Sequence, residues 1–169
     1  GRTLNGATHS CGACSNGVRG LNGGGNSRPY GEIDYITFAT EGNAADFGDL
    51  TCRRQYLSGA ANLTQGLFFG GWNDDYGGSG ALGSVDQVTI DTAANATSFT
   101  GFGSNRWLHS TAGNLTRVLA GGGYTGSNND NKSLIDTIQY WAYTGASGGS
   151  GDFGDLQQTK RQTAALSGD

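Results

Sequence analysis

Few residues in this chain have the types and spacing that chemistry needs. Cys11 and Cys14 are separated by two residues, as in a zinc knuckle or redox pair, with His9 nearby and Cys52 at the start of the next sequence unit. A structural zinc site takes four ligands, so this set works only if two neighbouring strands converge. Otherwise the thiols pair as a disulfide, leaving one odd cysteine, or pack as small apolar residues. His9 and His109 lie far apart, and nothing near them singles out a Ser-His-Asp set or a copper site. Asp34, Asp86 and Asp136 recur at one place in a repeat, and Asp46 and Asp49 recur as Asp152 and Asp155. A catalytic site needs one geometry, whereas a repeated acid serves turns and backbone donors. Arg54, Arg106 and Arg161 repeat too and are expected to pair with those acids across neighbouring units. The expectation is a chain without catalytic residues, metal or cofactor.

The remaining candidates sit in two loops, at 72–80 and 124–133, that vary between units. One carries Trp72, Asn73, Asp74, Asp75 and Tyr76; the other carries Tyr124, Asn128, Asn129 and Asp130. Aromatic rings beside amides and carboxylates are the mixture a sugar site uses: a ring face lies under the pyranose and fixed polar groups meet its hydroxyls. Loops on a rigid scaffold are also where binding concentrates. The plainer alternative is a pair of solvated turns with their rings folded back. The Asn/Asp clusters lack the spaced ligands of a dedicated calcium loop. Asn-x-Ser/Thr triplets at Asn62, Asn95, Asn114 and Asn131 are assigned no function.

The elements that must position these loops are repeats. Ile33, Ile36 and Phe38 with Asp34 recur as Val85, Val88 and Ile90 with Asp86, and read again as Ile135, Ile138 and Tyr140 with Asp136. The run from Asn62 to Gly71 returns from Asn114 to Gly122, and more faintly from Asn16 to Gly24. Asp46-Phe47-Gly48-Asp49-Leu50 returns as Asp152-Phe153-Gly154-Asp155-Leu156, with Ser98-Phe99-Thr100-Gly101-Phe102 as a decayed middle copy. These segments are β-branched, aromatic and partly alternating, and no window has the stripe of an amphipathic helix. Each unit therefore reads as four short strands. The first follows the arginine at Arg2, Arg54, Arg106 and Arg161, and the second ends at a glycine pair. The small residues Ser58-Gly59-Ala60-Ala61 suit an innermost strand where units crowd together.

A four-stranded unit of about 50 residues with a glycine pair after its second strand is the signature of a kelch-type β-propeller blade. The expected fold is all-β, with three full blades at 2–51, 53–103 and 105–157, and the first strand of a fourth at 160–169. A closed ring usually needs four to eight blades. Three and a fraction imply a longer chain, two copies that complete one ring, or an open array capped by a partner.

Composition agrees with distributed rather than deep cores. The 169 residues include 32 glycines and one proline, only 35% are hydrophobic, and the formal net charge is −4. An acidic balance argues against nucleic acid as a partner. No apolar run approaches the roughly 18 residues of a membrane-spanning helix, so no membrane insertion is expected.

Ile33-Asp34-Tyr35-Ile36-Thr37-Phe38-Ala39-Thr40, followed by Gly42 to Thr51, resembles the kelch-like repeats of virion proteins from phages of aquatic bacteria, cyanophages especially. Arg53, Arg54 and the strand from Gly66 to Gly71 match the pattern that follows in that family, while Thr100 and Gly101 depart from it. The resemblance spans essentially the whole chain. It implies a propeller component of a tail, fibre or other part of a virus particle, virion-borne or extracellular. The expected partners are other virion or surface proteins and, through the variable loops, host glycans, with self-association as one way to complete the propeller. The resemblance carries no catalytic site. The rival expectation is a segment of a secreted propeller enzyme, glycan-active or oxidase-like, with its site partly on other blades.

Overall fold

The computed structural model describes residues 9–26, 31–73, 80–143 and 151–165. Every regular element in them is a strand. Three four-stranded antiparallel sheets follow one another along the chain. The first holds β1 (Gly12–Ser15), β2 (Arg19–Gly23), β3 (Glu32–Thr37) and β4 (Ala45–Asp49), paired in that order. The second holds β5 (Ser58–Ala61) and β6 (Gln65–Phe69), then β9 (Ser84–Thr89) and β10 (Thr97–Gly101). The third holds β12 (Ser110–Gly113), β13 (Arg117–Gly121), β16 (Thr137–Ala142) and β17 (Gly151–Asp155). Short strands lie outside these sheets: β7 (Trp72–Asn73) pairs with β8 (Gly80–Ala81), and β11 (Arg106–Trp107) with β14 (Tyr124–Thr125), which pairs in turn with β15 (Ser133–Leu134). The loops after the glycine pairs thus begin as hairpins rather than as irregular chain.

An asparagine closes the first hairpin of each sheet. Asn62 Oδ1 accepts from the N–H groups of Thr64 and Gln65, Asn114 Oδ1 from Thr116 and Arg117, and Asn16 Oδ1 from Val18 and Arg19. A short amide side chain that folds onto the backbone two residues on replaces a turn hydrogen bond, which accounts for the repeated asparagine. The first strands of the three sheets, β1, β5 and β12, pack close together along their small residues. Thr111 donates its hydroxyl to the carbonyl of Gly59 at 2.8 Å, and a Cβ on Gly59 would lie 2.7 Å from the carbonyl oxygen of Ala13.

Because side chains alternate across a strand, the second sheet contributes to two cores. Leu21, Ile33 and Phe47 of the first sheet meet Phe68, Val88 and Ile90 of the second. Leu67, Phe69 and Val85, on the second sheet's other face, meet Val118, Ala120 and Trp141 of the third. On the outer faces of the first and third sheets the same repeat positions are exposed among the described residues. Ile36 and Phe38 are 43% and 55% exposed on the first sheet, whereas their counterparts Val88 and Ile90 are buried. Phe153 is 55% exposed on the third sheet, whereas Phe47 is 2% exposed.

Strand register corrects two of the sequence alignments. Arg19, Gln65 and Arg117 lie opposite Thr37, Thr89 and Ala142, so the third copy of Ile33 and Val85 is Ile138, and the third copy of Asp34 and Asp86 is Gln139, not Asp136. The second glycine of each pair donates its N–H to Arg54, Arg106 and Lys160, so Lys160, not Arg161, continues the arginine series. The paired glycines have φ between 53° and 110°, a region closed to most side chains, and a Cβ on Gly70 or Gly122 would strike the carbonyl oxygen of Arg106 or Lys160.

Two residues after each of these carbonyls the chain enters the left-handed region without glycine, at Tyr56, Leu108 and Gln162, with φ of 56°, 56° and 51°. Ser10, at 65°, starts the series. Each of the three donates its N–H to its counterpart one unit earlier: Tyr56 to Ser10, Leu108 to Tyr56, and Gln162 to Leu108, at 2.7, 3.0 and 2.9 Å. This ladder fixes unit on unit, and a bulky residue keeps such a φ only where its surroundings determine it.

Candidate functional site

The ladder and the short strands outside the sheets bring Trp72, at the start of one variable loop, and Tyr124, at the start of the other, to one place. Trp72 is clamped by reciprocal backbone hydrogen bonds with Gln55, and Tyr124 pairs with Trp107 across β11 and β14. The rings then meet: Trp72 packs edge-on against Trp107 with centroids 5.1 Å apart, and Trp107 lies 5.5 Å from Tyr124, tilted by 35°. Trp72 and Trp107 are buried and Tyr124 half-buried, so the two indoles form a wall rather than a free platform. Over Tyr124 stand two cations, Lys132 Nζ at 5.4 Å and Arg161 Cζ at 5.2 Å from its ring centre. These side chains, with Tyr56, Leu108 and Asn129, line a cavity of about 280 Å³.

The candidates from the sequence divide accordingly. Trp72, Tyr124 and Asn129 line this cavity. Asn73 is half-buried on β7 beside it. Asn128 turns its Oδ1 onto the N–H groups of Asp130 and Asn131, so its side chain folds the loop, as does that of Asn131, which accepts from Ser127 and Asn128. Asp130 is exposed. Asp74, Asp75 and Tyr76 lie outside the described residues. Sequence reasoning missed Trp107, Lys132 and Arg161 as members of one site. Trp107 and Arg161 stand at one repeat position, filled by Gln55 in the unit before, and that variation at a fixed position was the available signal.

The arginine position does something else. Arg54 is fully buried and saturated: Nη2 donates to Asp86 Oδ1 at 2.9 Å and to Thr51 Oγ1, and Nη1 donates to the carbonyls of Gly70 and Ser84. Asp86 also accepts the Thr51 N–H and hydroxyl. The ion pair therefore lies within one repeat unit, contrary to the expectation of pairing across units, and it is Thr51 that ties the preceding unit to it. In the next unit Arg106 finds the neutral amide of Gln139 instead, and its Nε and Nη1 have no hydrogen-bond partner. Burial lowers its pKa to about 10.

His109 is buried against Phe102, ring centroids 4.8 Å apart, with both ring nitrogens unpartnered. Burial first, then the charge of Arg106, push it down to about 3, so at neutral pH it is an uncharged ring. The three thiols are free, and among the described residues no His, Cys, Asp and Glu side chains converge as a metal site. Burial pushes the Cys14 thiol up to about 12, so it is protonated at neutral pH. The hydroxyl of Tyr143 is likewise held above its ordinary range by burial and then by Cys14. A larger cavity, about 780 Å³, runs beside the innermost strands and the open face of the first sheet, lined by Cys14, Tyr35, Phe38 and small residues such as Gly59 and Ala112. No family model matches this chain, and no curated protein matches it.

Proposed function

We propose that the chain is a non-catalytic attachment module of a virus particle or cell surface, built from kelch-like propeller blades, that offers its outer loops to host saccharides and to neighbouring structural proteins. The observation that carries this reading is that Trp72 of one variable loop and Tyr124, Asn129 and Lys132 of the other line one aromatic-walled cavity with polar groups. Small-ligand sites combine such a wall with a few fixed polar groups. The blade reading draws support from the two open faces, which expose Phe38 and Phe153 where the internal junctions bury the equivalent residues. A further unit of the same kind, in this chain or a second copy, would cover them. The non-catalytic reading draws support from His109, whose neighbours Phe102 and Arg106 leave it neutral and without an acid partner. An array of bacterial surface polysaccharides, probed with the full chain, tests the proposal. Selective retention on one saccharide class is expected, and retention on none would remove the attachment role.

A further inference from the structure

We infer that the cavity beside Tyr124 takes an acidic sugar residue, one bearing a carboxylate or sulfate, rather than a neutral one. This rests on the saccharide reading above and names its chemistry. Lys132 and Arg161 both sit within 5.4 Å of one ring centre, so two like charges share a small space. Lys132 donates to the neutral Asn129 Oδ1 at 3.1 Å, and neither cation forms an ion pair among the described residues. Among the described residues no Asp or Glu lines the cavity, although the chain as a whole carries a net charge of −4. Two cations over one ring, with no counter-charge among the described residues, repel each other, and an anion beside them offsets that repulsion. The Tyr124 ring face holds both cations through its quadrupole but does not neutralise them.

The position of Arg161 is built rather than incidental. The carbonyl of Lys160 accepts the Gly123 N–H at 2.6 Å and the Gln162 N–H reaches Leu108, so the backbone on both sides of Arg161 is tied down. A volume of about 280 Å³ is enough for one pyranose and too small for several. The indoles of Trp72 and Trp107 supply the apolar wall for its carbon face, and Asn129 stands among the lining groups for its hydroxyls.

Because Trp72 and Trp107 line the cavity, indole fluorescence of the full chain reads binding directly. The probes are a glucuronic-acid disaccharide, a 6-sulfated hexose disaccharide, their neutral counterpart and inorganic sulfate. At least one acidic sugar should bind about tenfold or more tighter than the neutral one, and Arg161→Gln or Lys132→Gln should remove most of that preference without lowering thermal stability. About 0.5 M salt should erode the preference as well. Whichever acidic probe binds tighter identifies the anionic group. Equal affinity for acidic and neutral sugars would overturn the inference and leave the saccharide reading standing. Inorganic sulfate binding as tightly as either acidic sugar would also overturn it, reducing the site to an anion hole. Failure of every sugar to bind would overturn both.

Discussion

Arg106 donates to the amide of Gln139 at 2.9 Å, in the place where, one unit earlier, Arg54 meets the carboxylate of Asp86 at the same distance. One position thus exists in two electrostatic versions inside one molecule. The residue that supports the ion pair changes with it, since the hydroxyl of Thr51 is available to Asp86 while Gly103 stands at that repeat position in the next unit.

Breaking the complete version should be costly. Asp86→Asn leaves Arg54 charged and buried, and is expected to cost about 3–5 kcal/mol in chemical denaturation. Gln139→Asp supplies the missing counter-charge to a guanidinium whose pKa burial has lowered to about 10, and should stabilise by about 1–2 kcal/mol. A destabilised Gln139→Asp protein would mean that Arg106 is adequately satisfied as it stands.

Most of the framework was legible in the sequence. The Asn62 and Asn114 turns, the glycine pairs and the alternating apolar strands each report a local backbone requirement, and local requirements survive in a repeat. The alignment of the third strand was misleading for a physical reason. The spacing of Ile135, Ile138 and Tyr140 is repeated three residues on by Ile138, Trp141 and Tyr143, and the aspartate after Ile135 favoured the wrong set. Only backbone pairing decides between them. The site was half legible: Trp72, Tyr124 and Asn129 could be picked by type, but their meeting through Trp107 depends on the stacking of units.

Two glycines separate backbone strain from junction packing. Gly48 and Gly154 have nearly the same φ, 139° and 137°, but a Cβ on Gly48 would lie 2.6 Å from the Ala94 backbone, whereas one on Gly154 meets nothing. Both alanine variants carry the conformational cost, about 1 kcal/mol or more. Gly48→Ala should be worse by about 2 kcal/mol, because backbone must move to admit the methyl group. Equal losses would show that the first and second sheets are not packed closely there.

Acid should loosen the fold through His109. Its pKa is about 3 when folded against an ordinary 6.5, so between those values the unfolded chain binds a proton that the folded chain does not. Stability is therefore complete above about pH 6.5 and falls as pH drops toward 3, by about 2–3 kcal/mol at pH 4.5. In His109→Leu this part of the pH dependence should vanish, whatever the variant's absolute stability. An unchanged profile would place the acid sensitivity elsewhere.

Phe47 and Phe153 hold one repeat position in opposite surroundings. Phe47→Ala should cost about 3–5 kcal/mol. Phe153→Lys should change the stability of the single chain by no more than about 0.5 kcal/mol, yet weaken any concentration-dependent association seen by sedimentation. Association that survives both Phe153→Lys and Phe38→Lys would rule out the open sheet faces as the contact.

The most direct test of the attachment role uses the three tryptophans as internal reporters. Trp72 and Trp107 wall the cavity, while Trp141 is buried between the second and third sheets. Indole N–H resonances of the full chain, followed during titration with a saccharide it retains on the array, should shift for Trp72 and Trp107 and stay fixed for Trp141. Movement of Trp141, or no movement of the other two at saturation, would contradict the account.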